Sequence, residues 1–562
     1  MRHGTDPIDT GIAGAGNASG VHATGVHANH PSATGSDSRD SSGQDHSGGG
    51  VNPGDGVDPG GGVDPGGGVQ SAAQSLRDLL PVSRFLTTDD LHFRSVAASA
   101  DQAEPGDLVV YRIGRDCPSR LVADAMARGA AGILTEQVLP CPLPQCIVGD
   151  VELAMARIKV NEHNRPDRSL LNIAVVGSAG KTSTTLLIAS LLRANGIRTA
   201  FQSDLGSSDG VVQSTPSQSL PSGSALIDWL AEAVDCQCQA SIIEIAEEKA
   251  RHGHYDAIEF DIVVVTGSSS CAGDFGPSGL QCVLDRLAPQ GVVIAPVDDS
   301  RSMRVIRDSG SKLVTYGIRK AADVSAKIID QSGGMTTLLV SNDDTTVAME
   351  TPLCGPAMAA NHAAATLVGL LLDQPLHEIA EKLGQLRSIP GRGQRLESFG
   401  HATVILETGG SADRVRTALR THRSMKSGGR LLCVMAIDEQ TGTENLAEIG
   451  ASMERSADVA IVTSTVGRKR QFLSTSHHVL DGVQKVASFR LVADRGRALQ
   501  WSLSEADSRD TIVVFTNERY PNAHQQRSDL EELSRSVEQY RAEQDANGDA
   551  SETTPIRLSI FG

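Results

Sequence analysis

The residues best equipped for chemistry stand together at Gly177-Ser178-Ala179-Gly180-Lys181-Thr182-Ser183, where two glycines, an ammonium and three hydroxyls share seven positions. A glycine loop between a buried strand and the start of a helix turns backbone N–H groups toward an anion. In such a loop Lys181 bridges the β- and γ-phosphates of a nucleoside triphosphate, and the Thr182 hydroxyl reaches Mg²⁺. The full phosphate-loop spacing is not met, because Val175 stands where its first glycine would fall. The flanking segments therefore carry the expectation. The competing reading is a glycine-rich turn with an incidental Lys-Thr pair, or a loop that has lost its ligand.

The flanks are those the chemistry requires. LNIAVV (171–176) is a compact apolar run, the pattern of a parallel strand buried on both faces. After the loop, KTSTTLLIASLLRAN predicts a helix stopped by Gly196, and IRTAFQ the next strand. SIIEI (241–245), DIVVVTG (261–267) and GVVIAPV (291–297) continue the alternation, which predicts an α/β chain with a doubly wound, mostly parallel sheet. Upstream, PGDLVVYRIG (105–114) reads as a turn and a strand. SRLVADAMARGAAGILTE (119–136) reads as a helix, a stop at Gly129 and a strand, with Leu121, Val122, Ala125 and Met126 at helical spacing. Downstream of SIPGRGQRLES (388–398), strands are expected at ATVILE (402–407), RLLCVMAI (430–437), VAIVTS (459–464), FRLVA (489–493) and TIVVFT (511–516). An acidic helix is expected over 529–543, with Leu530, Leu533, Val537 and Tyr540 on one stripe that docks on its parent domain; the alternative is a partner-binding helix.

With 562 residues, the chain has room for three to four domains of about 150 residues each. The expected limits are a disordered tail over 1–72, α/β regions over 73–168, 169–395 and 396–525, and an acidic helix and tail over 526–562. The tail holds a six-residue repeat, VNPGDG-VDPGGG-VDPGGG, and almost no large apolar side chains, so it cannot offset the entropy of ordering. A net charge of −18 argues against a nucleic-acid partner, and 3% aromatic residues are too few for base-stacking platforms. The longest nearly uncharged apolar run, 363–372, is far short of the ~20 residues that span a bilayer, and no apolar signal segment opens the chain. Nine cysteines without a regular pattern predict reduced thiols and a cytoplasmic protein with no cysteine metal site.

Beyond the loop, the chain resembles the Mur ligase family over about residues 80–520, closest to its UDP-N-acetylmuramoyl-tripeptide synthetase branch. The segments that carry the resemblance are VVGSAGKTSTT, CGPAMAANHAAAT (354–366) and IPGRGQRLE (389–397), together with the order of three α/β modules. It implies a three-domain architecture: a UDP-substrate-binding module, a central P-loop ATPase with a doubly wound parallel sheet, and a C-terminal Rossmann-like domain. It also implies an ATP- and Mg²⁺-dependent amide-bond ligase. An amino acid is added to UDP-MurNAc-L-Ala-D-Glu, or to a changed substrate, through an acyl phosphate.

Carried over residue by residue, the resemblance implies nucleotide contacts at residues 177–183, Asn361, Arg392 and Glu407, with Lys181 and Arg392 as the catalytic cations. Metal ligation falls to Thr182 and Glu244. The UDP-muramoyl-peptide-like substrate and the amino acid fall to Ser214, Thr215, Asp413 and Arg468. A protein partner would engage the tails.

The pattern departs from the family at several chemical positions. The family's Asp-His-Leu-Asp reads Cys271-Ala272-Gly273-Asp274, and no lysine lies between Gly276 and Asp299, where the family carries its carbamylated one; the approximate position is Gln281. Asp-Tyr-Ala-His-Thr-Pro-Asp reads Glu407-Thr408-Gly409-Gly410-Ser411-Ala412-Asp413, and Asp-Asn-Pro-Arg reads Thr465-Val466-Gly467-Arg468. The basic loop near Asp438 has no cation, Gly-Lys-Gly-His-Glu reads Thr516-Asn517-Glu518-Arg519-Tyr520, and Asp-Ser-Arg reads Ser99-Ala100-Asp101. Loss of cations that recognise phosphate and carboxylate raises a second expectation, a nucleotide-binding pseudoenzyme with a scaffolding or regulatory role. An unrelated P-loop ATPase or kinase is a third class. It requires an aspartate ending a later strand, whereas Asp261 precedes its strand.

Overall fold

Aliphatic runs too short for helices become strands, and the alternation between them sets the topology. In the computed structural model the described residues are 73–211, 213–214, 222–267, 278–332, 334–343, 345–425, 428–437, 441–465, 469–516, 520 and 523–552. The tail 1–72, Thr215, the segment 271–274, Asp438, Arg468 and residues 517–519 lie outside them.

The first module is a four-stranded sheet in the order Arg84–Leu86, Gln145–Ile147, Gly132–Thr135, Leu108–Val110. Its helix Pro118–Arg128 opens on a proline and closes at Gly129, whose N–H bonds back to Ala125 and Met126. A second helix, Val151–Glu162, is capped by the Asp150 side chain, which accepts from Leu153 N. This helix joins the module to the next one: Ala156 and Val160 share a core with Leu226, Ile227 and Leu230, and Lys159 pairs with Asp228.

The central sheet has eleven strands among the described residues. Its parallel heart runs Thr199–Ser203, Ala240–Glu244, Leu171–Val176, Phe260–Val265, Leu287–Pro296, Lys312–Gly317. Successive residues of the middle strand feed opposite cores. Ile173 and Val175 pack with Leu187, Ile188 and Leu191 of the helix Lys181–Ala194, while Ala174 and Val176 pack with Leu226 and Leu230 of Gly223–Asp235. Burial on both faces is why these strands read as continuous apolar runs. Beyond Lys312–Gly317 the sheet continues into Val324–Ser332, Met335–Asn342 and Thr345–Thr351. The last two join antiparallel. Their alternating Thr, Ser and aliphatic residues leave one face half-wet, so they do not read as continuous apolar runs.

The third module is a six-stranded sheet ordered Arg392–Leu396, Thr403–Glu407, Thr511–Phe515, Leu431–Ile437, Val459–Ser464, Phe489–Leu491. The first strand is antiparallel and the remainder parallel. The closing helix is Ala523–Glu552, longer at both ends than 529–543. Its Leu530, Leu533 and Val537 are buried with Val404, Leu406, Leu432 and Val514 on one face of this sheet, so the stripe is covered by its parent module. No helix among the described residues is long and apolar enough to cross a membrane.

Candidate functional site

The buried strand Leu171–Val176 delivers its loop to the carboxyl end of the parallel sheet, where open α/β folds bind ligands. Gly177 has φ +143°, and a Cβ there would stand 2.7 Å from Thr266 Oγ1 and 3.0 Å from Gly267 N. Gly180 has φ +84°, and its Cβ would stand 2.7 Å from Asn361 Oδ1. Both positions thus demand glycine. Thr266 Oγ1 fastens the loop by donating to Ala179 O at 2.6 Å. The helix Lys181–Ala194 starts directly from Gly180 with no side-chain cap, so its first amides remain available to an anion.

Two side chains of the first turn converge on one carboxylate. Thr182 Oγ1 donates to Glu244 Oε1 at 3.0 Å, and Lys181 Nζ lies 3.9 Å from the same oxygen while donating to Gly177 O at 3.0 Å. Glu244 ends the neighbouring strand Ala240–Glu244, in register with Val175. It is 1% exposed, and its other oxygen accepts from Asp204 N at 3.0 Å. Burial, followed by the negative charge of Asp204, pushes its pKa up to about 7 against the pull of Lys181 and Arg392. A hydroxyl and a carboxylate sharing one hydrogen bond are hard oxygen donors that suit Mg²⁺, which keeps most of its waters and takes one or two protein ligands. Among the described residues no group of three His, Cys, Asp or Glu gathers that could hold a metal ion.

Around this centre stand the other candidates. Asn361 is buried on the helix Pro356–Leu371 with its amide against Gly180. Arg392 opens the strand Arg392–Leu396 opposite Glu407. Burial and then the Arg414 guanidinium lower its pKa to about 10, while Glu244, Asp204 and Glu407 favour its charge. Glu407 accepts from His422 Nε2 at 2.8 Å, and both side chains are largely buried. Asp413 is exposed and pairs with Arg416 one turn along the helix Ala412–Met425. Ser214 lies in the edge strand Gln213–Ser214, its backbone paired with Ser207. The structure thus gathers residues 177–183, Glu244, Asn361, Arg392 and Glu407, and leaves Asp413 and Ser214 outside that group. Asp261 sits at the opposite end of its strand, accepting from Asn172 N at 2.8 Å.

Sequence reasoning missed Asp204 and Thr266. Asp204 follows the strand Thr199–Ser203, so a search for carboxylates just past strand ends would have found it.

The Mur ligase middle domain matches residues 175–271 and 281–369, and the Mur ligase glutamate ligase domain matches 391–517, together more than half of the chain. The chain belongs to the Mur ligase family. The UDP-N-acetylmuramoyl-L-alanyl-D-glutamate--2,6-diaminopimelate ligase of Thermosynechococcus vestitus is 25% identical over 440 residues, which are 75% of this chain and 87% of that protein. A solved structure of a ligase of the same name superposes with a TM-score of 0.57 at 18% identity, covering 82% of this chain and 98% of the other. The Thermotoga maritima MurF ligase in complex with ADP superposes with a TM-score of 0.56 at 16% identity, covering 79% of this chain and 98% of the other. The fold is the three-domain Mur ligase architecture, and the middle-domain match opens on Val175, inside the strand that delivers the loop.

Proposed function

We propose that this chain is an ATP-dependent Mur ligase of the cytoplasm that adds an amino acid to a UDP-muramoyl-peptide; its relatives are named for joining UDP-N-acetylmuramoyl-L-alanyl-D-glutamate to 2,6-diaminopimelate. The observation that supports it most is the loop itself, with Thr182 bonded to a buried Glu244 at 3.0 Å beside Lys181. The free amides of the helix start and Lys181 hold the phosphates, and Asn361, which stands against Gly180, is assigned to the nucleotide as well. Thr182 and Glu244 hold Mg²⁺, which neutralises charge on the phosphoryl group when bound. The overall change converts a substrate carboxylate to an acyl phosphate with release of ADP; an amine then displaces phosphate to form the amide. For such chemistry the protein's part is positioning and charge balance, which Lys181 and Arg392 supply. We assign residues 73–168 to the UDP-substrate module, 169–395 to the ATPase module, 396–525 to the amino-acid module, and 526–562 to a terminal helix and tail. Ser214, Thr215, Asp413 and Arg468 are assigned to the two substrates.

The test is phosphate release from the full chain with ATP, Mg²⁺, UDP-muramoyl-dipeptide and a pool of amino acids. Release that requires both organic substrates, and that disappears in Lys181→Ala, supports the ligase. Nucleotide binding without turnover converts the assignment to a scaffold that has kept its ATP site.

A further inference from the structure

Arg414 sits half-buried in the first turn of the helix Ala412–Met425. Its side chain folds back over the preceding loop, with Nη1 3.4 Å and Cδ 3.6 Å from where a Cβ on Gly410 would stand. That loop is pinned to the hinge. Thr408 donates to Gly391 O from both its N and its Oγ1, at 2.8 and 3.0 Å, and Glu407 lies opposite Arg392 in the ladder. This brings Arg414 within electrostatic range of Arg392.

Among the described residues neither guanidinium has a carboxylate at ion-pair distance, although Glu244, Asp204 and Glu407 favour the charge of Arg392 from farther off. Among the described residues Arg414 makes no side-chain hydrogen bond or ion pair, and the hydrogen bond of the Arg392 guanidinium is a 3.3 Å contact with its neighbour Gly391 O. Three of the carboxylates at hand are engaged elsewhere, Glu407 with His422, Asp413 with Arg416, and Glu244 with Thr182 and Asp204 N, while the side chain of Asp204 is exposed. Two guanidiniums held together in partial burial repel unless an anion lies between them. Their planar forks match the oxygens of a phosphate. Arg392 also stands within electrostatic range of Glu244, at the Thr182 end of the loop. In a phosphate loop the lysine and the metal-binding hydroxyl take the terminal phosphates, so the pair stands on that side of the site.

We propose that Arg414 is a phosphate-binding residue that, together with Arg392, grips the terminal phosphate of a nucleoside triphosphate seated on residues 177–183. The assignment rests on the nucleotide reading of that loop, and it predicts discrimination between triphosphate and diphosphate. The test is calorimetric titration of the full chain and of Arg414→Gln with the Mg²⁺ complexes of ADP and of a β,γ-methylene ATP analogue. The expected result is a loss of roughly tenfold to a hundredfold in affinity for the analogue, the size of a lost hydrogen bond to a charged group, with ADP binding unchanged. Arg414→Lys, which keeps the charge without the fork, should recover part of the loss. It replaces Arg414→Gln if a thermal melt shows that variant unfolded. Equal affinities in variant and wild type, or equal losses for both nucleotides, overturn the role of Arg414 and leave the ligase reading standing. A wild-type chain that binds neither nucleotide overturns both.

Discussion

At the scale of single residues, the site works by denying side chains their usual surroundings. Glu244 is kept from water, and its ordinary carboxylate range no longer applies. Gly177 and Gly180 are needed because Thr266 and Asn361 occupy the space a methyl group would take. Next to Asn361, His362 is fully buried. Its Nδ1 donates to Met358 O at 2.7 Å, which places the proton on Nδ1 and leaves Nε2 bare, and Nε2 has no hydrogen-bond partner. Burial lowers its pKa to about 4. The unfolded chain takes up this proton near pH 6.5 and the folded chain only near 4, so the stabilisation is whole above 6.5 and is lost as pH falls toward 4. The loss amounts to roughly 3 kcal/mol. In His362→Leu, thermal melts at pH 7 and at pH 4.5 should lie closer together than in the wild type; an unchanged gap would assign the acid sensitivity elsewhere. The pattern of the loop itself names Lys181 and Thr182 as candidates, whereas Glu244, at the end of a separate strand, enters through the resemblance to the Mur ligases. Neither points to Asp204 or Arg414, whose role depends on what lies across from them.

At the scale of elements, the closing helix Ala523–Glu552 shows how an amphipathic stripe becomes structure. Leu530, Leu533 and Val537 recur at helical spacing, and they complete the core on one face of the third sheet. Polar contacts then fix the helix in place. Arg541 Nη2 donates to Leu396 O and Ala402 O at 2.9 and 2.7 Å, and Arg495 pairs with Asp529. Leu533→Ala should cost about 2–5 kcal/mol, the range for truncating a buried leucine, read as a lowered midpoint in urea; a shift under about 1 kcal/mol would mean that the helix does not serve the core. The stripe was legible from period alone, whereas its length was not, since residues outside 529–543 lack apolar spacing. The antiparallel strands Val324–Ser332, Met335–Asn342 and Thr345–Thr351 were overlooked for a related reason. Half-wet strands carry polar residues at every second position, and these resemble loop in a search for continuous apolar runs.

At the scale of the whole molecule, residues 70–562 form a single compact unit in which the modules meet at specific atoms. Arg527 of the closing helix donates to Leu205 O, one residue past Asp204, at 2.9 Å. The space a Cβ on Gly355 would fill is taken by Thr421 of the third module. The cores of these modules draw on residues between Leu76 and Val537, so removal of residues 1–70 should move the melting temperature by less than about 2 °C; a larger fall would show that the Gly/Pro-rich segment supports the fold. By itself the sequence determined the α/β class, the strand–loop–helix order and the identity of the loop. Each of these is encoded by neighbours along the chain, through apolar period and glycine placement. Only the tertiary structure decided that Asp204 N meets Glu244, which guanidinium comes within electrostatic range of Arg392 at the hinge, and which carbonyl Arg527 reaches. Those pairings join residues up to 322 positions apart. They depend on strand order and module packing, which short-range patterns in a single chain do not encode.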